Sequence, residues 1–384
     1  MPERSRLVLI QRKQDPVRIT EVKIVVTDNP HSHLVTAGVK GGKAAHQVVF
    51  VRVLTDEGLE GHAFAWGGRS GLATAHLIAS IIRPLLIGED PLNREYLWQK
   101  IRQMDRWWGF LPIYAHGPID VALWDLAAKS ANLPLYRFLG AYRASLPAYA
   151  SSLILGSPEA FSEQAIEYRE KGFRAYKLHP WGDVDRDVAA CAAVRKAVGD
   201  TMVLMSDPVA GYNPQQALRV GRALEDLKYH WLEEPLSDYD VYGYQELCRQ
   251  LEIPIAGTES TPGGLFGTPQ YIINRAVDIV RSDVSWKGGV TGLMKTAALC
   301  EAFGLNCEVH TTTNALLDMA NLHVSCAIRN CEYFEILIPQ DPFTFGVLNP
   351  IRIDDQGRVS PPAGPGLGVE LDWDALKKYQ IAEI

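Results

Sequence analysis

The sequence predicts an α/β protein built around a closed parallel barrel, with a smaller α+β domain in front of it. Three observations predict this. Strand-like and helical stretches are segregated early in the chain and alternate later. From about residue 145 onward, short apolar runs that end in a polar residue recur every 24 to 28 residues, the length of one βα unit. With "LPAYASS" at 146–152 as the first, such runs number eight, which favours a closed barrel over an open sheet.

In chain order, "RITEVKIVVT" and "HQVVFVRVLTDEGLEGHAFA" read as strands, the second pair joined through a DEG turn. The segment between them, "DNPHSHLVTAGVKGGKAAH", is rich in Gly, His and Lys and reads as a mobile loop. From about 70 to 140 apolar residues recur at three and four, as in "PIDVALWDLAAKSANLPLYRFLG", so helices follow the strands. Beyond 145 the repeated runs end at His179, Asp207, Glu233, Glu259, Asp283, His310 and Glu335, at intervals of 28, 26, 26, 24, 27 and 25.

Composition limits the functions open to the chain. Of 384 residues, 38 are Lys or Arg and 45 Asp or Glu; with no basic tract, nucleic acid is an unfavourable partner. Six cysteines without CxxC pairing read as buried free thiols of a reducing compartment. The four-residue apolar run "LVLI" near the N-terminus is too short for a signal peptide, and no stretch approaches a membrane span. The expected protein is soluble and cytoplasmic and forms no contact with nucleic acid or membrane. A homo-oligomer is the expected assembly.

In a parallel barrel the βα loops converge at the carboxyl ends of the strands, so polar residues at that phase of successive units face one pocket. "RAYKLHPWGD" at 174–183 sets Lys177 and His179 two apart, hence on one side of a strand, before Pro-Trp-Gly stops it. Asp207, Glu233 and Glu259 end three consecutive strands, and three carboxylates in one pocket repel unless a cation lies among them. Hard oxygen donors, one per strand, suit Mg²⁺ better than zinc. The alternative is pairing with basic side chains, of which only Lys177 stands at these strand ends. Either Glu233 or Glu234 could face inward; the equal spacing of 26 on both sides favours Glu233. Asp283 and His310 end neighbouring strands, where the carboxylate can fix the imidazole tautomer and raise the basicity of its other nitrogen, as in a general acid/base. A purely structural role for His310 is the alternative.

This ordered set, with "WLEEP", "GTES" and "DVSWKGGVTG", resembles the enolase superfamily, specifically its mandelate racemase subgroup, over nearly the whole chain. The resemblance implies a modified (β/α)7β TIM-type barrel with an N-terminal α+β capping domain completed by the C-terminal segment. Its expected divisions are a cap at 1–140, a catalytic barrel at 141–350, and a segment at 351–384, containing "GPGLGVELDWDALKKY", that returns to the cap. It further implies a carboxylate substrate and Mg²⁺ on Asp207, Glu233 and Glu259, stabilising the enediolate left when a base removes the α-proton. His310, oriented by Asp283, would be one acid/base, and Glu335 would hydrogen-bond the substrate carboxylate. Ser151, His31 and Trp66 are further candidates for substrate contact.

Departures from the family pattern qualify these roles. Related enzymes often have Lys-x-Lys where this chain has Lys177-Leu178-His179, so His179 is read as the base and Lys177 as the group that neutralises the substrate carboxylate. Lys177 as base, or His310 acting alone, are the alternatives. Val209 stands where Asn is common, and Lys287 is one residue out of phase with the lysine of the lactonizing branch. The expected reaction is dehydration of a hydroxy acid or sugar acid to a 2-keto-3-deoxy product, because His31, His33, Lys40 and Lys43 make the cap loop polar. Racemisation or epimerisation of an α-substituted acid is the alternative, and a catalytically disabled binding barrel a remote one. Trp107 and Trp108, like Trp66, could instead line an apolar pocket.

Overall fold

The structure, a computed structural model, describes residues 16–31, 47–67, 70–106 and 111–384. His33, Lys40, Lys43, Trp107 and Trp108, and most of the loop read as mobile, lie outside the described residues. An antiparallel sheet is formed by β1 (Ile19–Asp28), β2 (Gln47–Thr55) and β3 (Glu60–Trp66). Ile19, Val22, Ile24 and Val26 of β1 and Val49, Val51 and Val53 of β2 are buried, which is the alternation that makes one face of a sheet a core. The DEG turn lies at 56–58, where Gly58 takes φ 76.

Eight parallel strands then close on themselves: β4 (Leu146–Ser151), β5 (Ala175–Leu178), β6 (Val203–Ser206), β7 (Trp231–Glu233), β8 (Ile255–Gly257), β9 (Ile279–Ser282), β10 (Asn306–Val309) and β11 (Phe334–Leu337). Pairing of β11 with β4, Phe334 opposite Ala148, completes the barrel. Seven helices alternate with these strands, giving the (β/α)7β order. Their starts follow from local chemistry. Ser157, Asp183 and Asn213 each accept a first-turn N–H, and Asn213 with Gln216 forms a reciprocal capping box. The two-residue strand β12 (Arg358–Val359) lies antiparallel to β4, and β13 (Gln380–Glu383) crosses back to β1, with Val25 opposite Glu383.

The helix Ile113–Ser130 fixes the cap over the barrel. Its Asp120 accepts the Thr291 N–H at 2.8 Å and the Thr291 hydroxyl at 2.7 Å. Gly117 sits so near the loop after β9 that a Cβ would lie 2.4 Å from the Val284 carbonyl oxygen. The site therefore lies where cap helix and strand ends meet. All six cysteines are free thiols, five of them buried. Among the described residues no helix is long and apolar enough to cross a membrane.

Candidate active site

Inside the barrel, side chains two apart along each strand form layers. The lower layer is apolar: Tyr149, Ala175, Met205, Trp231, Ala256 and Ile279 pack together. One step toward the carboxyl ends, Lys177, Glu233, Arg281 and Glu335 form a fully buried layer of charge. The Lys177 ammonium reaches Glu233 at 2.8 Å, Glu335 at 2.9 Å and Asp207 at 3.3 Å. Arg281 bonds Glu233 through Nε at 2.8 Å and Glu335 through an η nitrogen at 2.7 Å. Trp231 Nε1 donates to the other Glu233 oxygen at 2.9 Å. Burial opposes the charged ammonium, but Glu233 and Glu335 hold Lys177 well above the usual lysine range. Burial likewise opposes the Glu335 carboxylate, and Lys177 and Arg281 hold it well below its usual range.

Above this layer opens a cavity of about 210 Å³, lined by His179, Asp207, Val209, Ala210, Glu234, Asp238, Glu259, Ser260 and His310. His310 is tied through Nδ1 to Asp283 at 2.9 Å and presents Nε2 to Glu259 at 3.3 Å. Asp283 in turn accepts the backbone N–H groups of Ser285 and Trp286. Asn321 bridges the two strand ends, accepting from Val284 N–H and donating to the His310 carbonyl. Burial would lower the His310 pKa, but Glu259 and the Asp283 bond outweigh it and raise it to about 9. His179 is held by Ser152, whose carbonyl accepts from Nδ1 at 2.6 Å; its Nε2 faces Asp207 at 3.2 Å. Because Nδ1–H is committed to a carbonyl, Nε2 is the nitrogen free to exchange a proton with the cavity.

The cavity brings His179, Asp207, Glu259 and His310 together, with Asp283 behind His310. Lys177, Glu233 and Glu335 lie one layer below it. Glu335 is the second residue of β11 rather than its end, which sets its carboxylate deeper than the spacing suggested. Glu233 does face the barrel interior, while Glu234, turned by a backbone at φ 40, lines the cavity beside it. Arg281 corrects the count of cations: it lies two residues before Asp283, hence on the same face, and alternation alone makes it legible. Ser151 is buried, its hydroxyl without a hydrogen-bond partner among the described residues, and its neighbour Ser152 is the serine that touches His179. Trp66 packs with Tyr114 and Trp286, ring centroids 5.6 and 5.4 Å away, at the seam of cap and barrel. The His31 backbone N–H is anchored on Asn29, and His31 is not among the residues lining the cavity.

A hard divalent cation suits this chemistry. Burial, with Asp207, Asp283 and Glu233 nearby, pushes the Glu259 carboxyl up to about 7 against the pull of His310, so the donor set is short of positive charge. Among the described residues no trio is gathered as a finished ion cage, since Glu233 is engaged with Lys177, Arg281 and Trp231. Among the described residues, five of the nine non-glycine residues with positive φ, Val209, Ala210, Glu234, Thr258 and Thr313, follow barrel strands at this rim. Strained backbone of this kind collects where side chains must be aimed rather than merely packed.

The chain matches the family described as mandelate racemase / muconate lactonizing enzyme, N-terminal domain, over residues 19–140, and that described as enolase C-terminal domain-like over 160–375. It is 31% identical to an L-talarate/galactarate dehydratase of Salmonella typhimurium over 87% of this chain and 83% of the relative. It is 28% identical to an L-Ala-D/L-Glu epimerase of Bacillus subtilis over 84% of this chain and 88% of the relative. A D-glucarate dehydratase from Agrobacterium tumefaciens, solved with magnesium, superposes with a TM-score of 0.85 at 33% identity, covering 95% of this chain and 99% of that one. The cap and the closed barrel thus belong to one lineage, and the chain is an enzyme of the enolase superfamily, mandelate racemase subgroup, a lyase or isomerase.

Proposed function

We propose that the enzyme removes the proton α to a carboxylate and dehydrates a hydroxy acid or sugar acid to a 2-keto-3-deoxy product. The observation that carries this reading is the polarity of the cavity. Seven of its nine lining residues, all but Val209 and Ala210, are polar or ionisable, as a hydroxyl-rich substrate requires. The dehydratases among its relatives support it.

Asp207, Glu233 and Glu259 are the proposed holders of Mg²⁺, which would supply positive charge beside the substrate carboxylate and the developing enediolate. His179 is the proposed base. Its Nδ1–H is pinned on the Ser152 carbonyl, so Nε2 takes the α-proton. Lys177, enclosed by three carboxylates, serves as the fixed cation beneath the site rather than as the base. His310 holds a proton on Nε2 and hands it to a departing β-hydroxyl, while Asp283 keeps the ring oriented. Glu335 carries its charge one layer down, where it anchors Lys177 and Arg281.

A second reading rests on the same two imidazoles. His179 and His310 reach the cavity from β5 and β10, and a base on each side of an α-carbon can remove and return a proton, giving racemisation or epimerisation. Proton NMR in D₂O with Mg²⁺, over a panel of sugar mono- and diacids, hydroxy acids and proline derivatives, separates the two. Loss of the α-proton with a new keto product is the expected result. Deuterium exchange on an intact carbon skeleton would replace dehydration with racemisation or epimerisation, and no reaction at the α-carbon of any member would overturn both.

A further inference from the structure

Lys287, one residue out of phase for the cavity, points behind its wall instead. It is fully buried and is not among the residues lining the cavity. Among the described residues its amine is paired with no carboxylate; it donates to the Thr258 carbonyl at 2.5 Å and to the Glu259 carbonyl at 3.3 Å. Successive carbonyls of an extended strand point opposite ways, so one donor can hold two in a row only where the chain has turned. The turn is at Thr258, a buried β-branched residue at φ 84, whose hydroxyl donates to the Arg281 carbonyl at 3.2 Å.

Ala256 of β8 faces the barrel interior, so plain alternation would send residue 258 inward and Glu259 outward. The turn reverses this, and the Glu259 carboxylate enters the cavity, 3.3 Å from His310. A left-handed backbone at threonine is strained and persists only where its surroundings over-determine it. Lys287 can supply that restraint because its own backbone has little freedom. Its N–H donates to the Asp283 carbonyl at 3.1 Å, and a Cβ at Gly292 would lie 1.7 Å from its carbonyl oxygen. The next residue, Gly288, accepts from Trp98 Nε1 of the cap at 2.6 Å. We infer that Lys287 is a positioning residue: its amine pins the two carbonyls of the Thr258 turn and so keeps the Glu259 carboxylate facing the cavity. This inference rests on the proposed function for Glu259 as a holder of the cation.

The test reads the binding of Mg²⁺ alone, without substrate, in the full enzyme. The urea midpoint is followed in EDTA and over a Mg²⁺ titration, and its rise gives the Kd. Lys287→Met, which keeps the apolar stem, should weaken Mg²⁺ binding at least tenfold, and Lys287→Gln, whose amide still offers a donor, should weaken it less. A lysine that only braced the fold would lower the midpoint equally with and without Mg²⁺ and leave the Kd unmoved. Circular dichroism shows which variants are folded. A wild-type Kd in Lys287→Met or, if that variant does not fold, in Lys287→Gln overturns the role and leaves the proposed function standing. In a Glu259→Gln background Lys287→Met should weaken binding less than threefold further, and a further tenfold loss overturns action through Glu259. Weakened binding in Lys287→Met, with no α-proton chemistry on any acid, supports the role and overturns the proposed function. A wild-type midpoint that Mg²⁺ does not raise overturns the cation site and the role of Lys287 with it.

Discussion

Replacing Lys177 with methionine removes the cation at the centre of the barrel without changing its bulk greatly. Lys177 and Arg281 now face Asp207, Glu233 and Glu335, two positive charges against three negative. In the variant only Arg281 remains, against Glu233 and Glu335, and Asp207 keeps no ammonium beside it. The Arg281 bonds to Glu233 and Glu335 persist, but each carboxylate loses a donor at 2.8 to 3.3 Å, and Glu233 and Glu335 are buried with no route to water. Removing one partner of a buried ion pair costs about 3–5 kcal/mol, because an uncompensated charge stays behind. Urea unfolding at neutral pH, with EDTA present so that no cation replaces the ammonium, should show a loss of that size. The pH dependence has a definite sign. In the wild type the Glu335 pKa is depressed, so its stabilising contribution is present above the unfolded value of 4.5 and lost only as pH falls through the lower folded value. In the variant Asp207 and Glu335, no longer held down by Lys177, take up protons at higher pH, which relieves the repulsion, so the gap to wild type should shrink as pH falls below about 5. A loss under about 1 kcal/mol, or a gap that widens in acid, would refute the account of the charge layer.

Other consequences are open to direct measurement. His310→Asn and Asp283→Asn should each lower kcat by about 10²- to 10⁴-fold while leaving the fold intact by circular dichroism; full activity in either would remove the dyad from the mechanism. Val209 is β-branched, 63% exposed and held at φ 51, so Val209→Asn should stabilise the protein by about 1 kcal/mol in urea, and a destabilised variant would contradict the strain. Burial pushes the Asp120 carboxyl up to about 7 against its bonds to Thr291. The folded chain then binds that proton more tightly than the unfolded one, so this group's contribution to stability falls as pH rises from about 4 to about 7; Asp120→Asn should flatten that part of the curve, and an unaltered slope would count against it. Mg²⁺ at a hundred times its Kd should add about 2.7 kcal/mol of stability that EDTA abolishes, whereas an unmoved unfolding midpoint would speak against a built cation site.

The barrel and the ring of strand-end acids are legible because a period of one βα unit keeps every strand end in phase. Depth is less legible. His179, Asp207 and His310 fall just past the last residue of β5, β6 and β10, whereas Glu335 falls inside β11, and a strand's end depends on pairing with its neighbour rather than on its own residues. Backbone twists are hidden for the same reason. Glu259 follows Ala256 by three residues, not two, because Thr258 turns at φ 84, and nothing in the local sequence demands that. Ser152 and Asn321 act through a backbone carbonyl and a bridge between strand ends, contacts set by packing that alternation does not encode. Arg281 was within reach of the alternation, two residues before Asp283, and its partners Glu233 and Glu335 show why a count limited to strand ends undervalues the interior.

The antiparallel pairing of Val25 with Glu383 has a bearing on how the protein is made. The ribosome delivers β13 roughly 350 residues after its neighbour β1, so this edge of the cap sheet waits on the order of 20 to 70 s at common elongation rates. Throughout that interval β1 keeps an unzipped edge able to pair with another nascent chain, while the barrel is made behind it. Gln380–Glu383 therefore act as a clasp, and the cap sheet acquires its fourth strand only after every strand of the barrel has emerged.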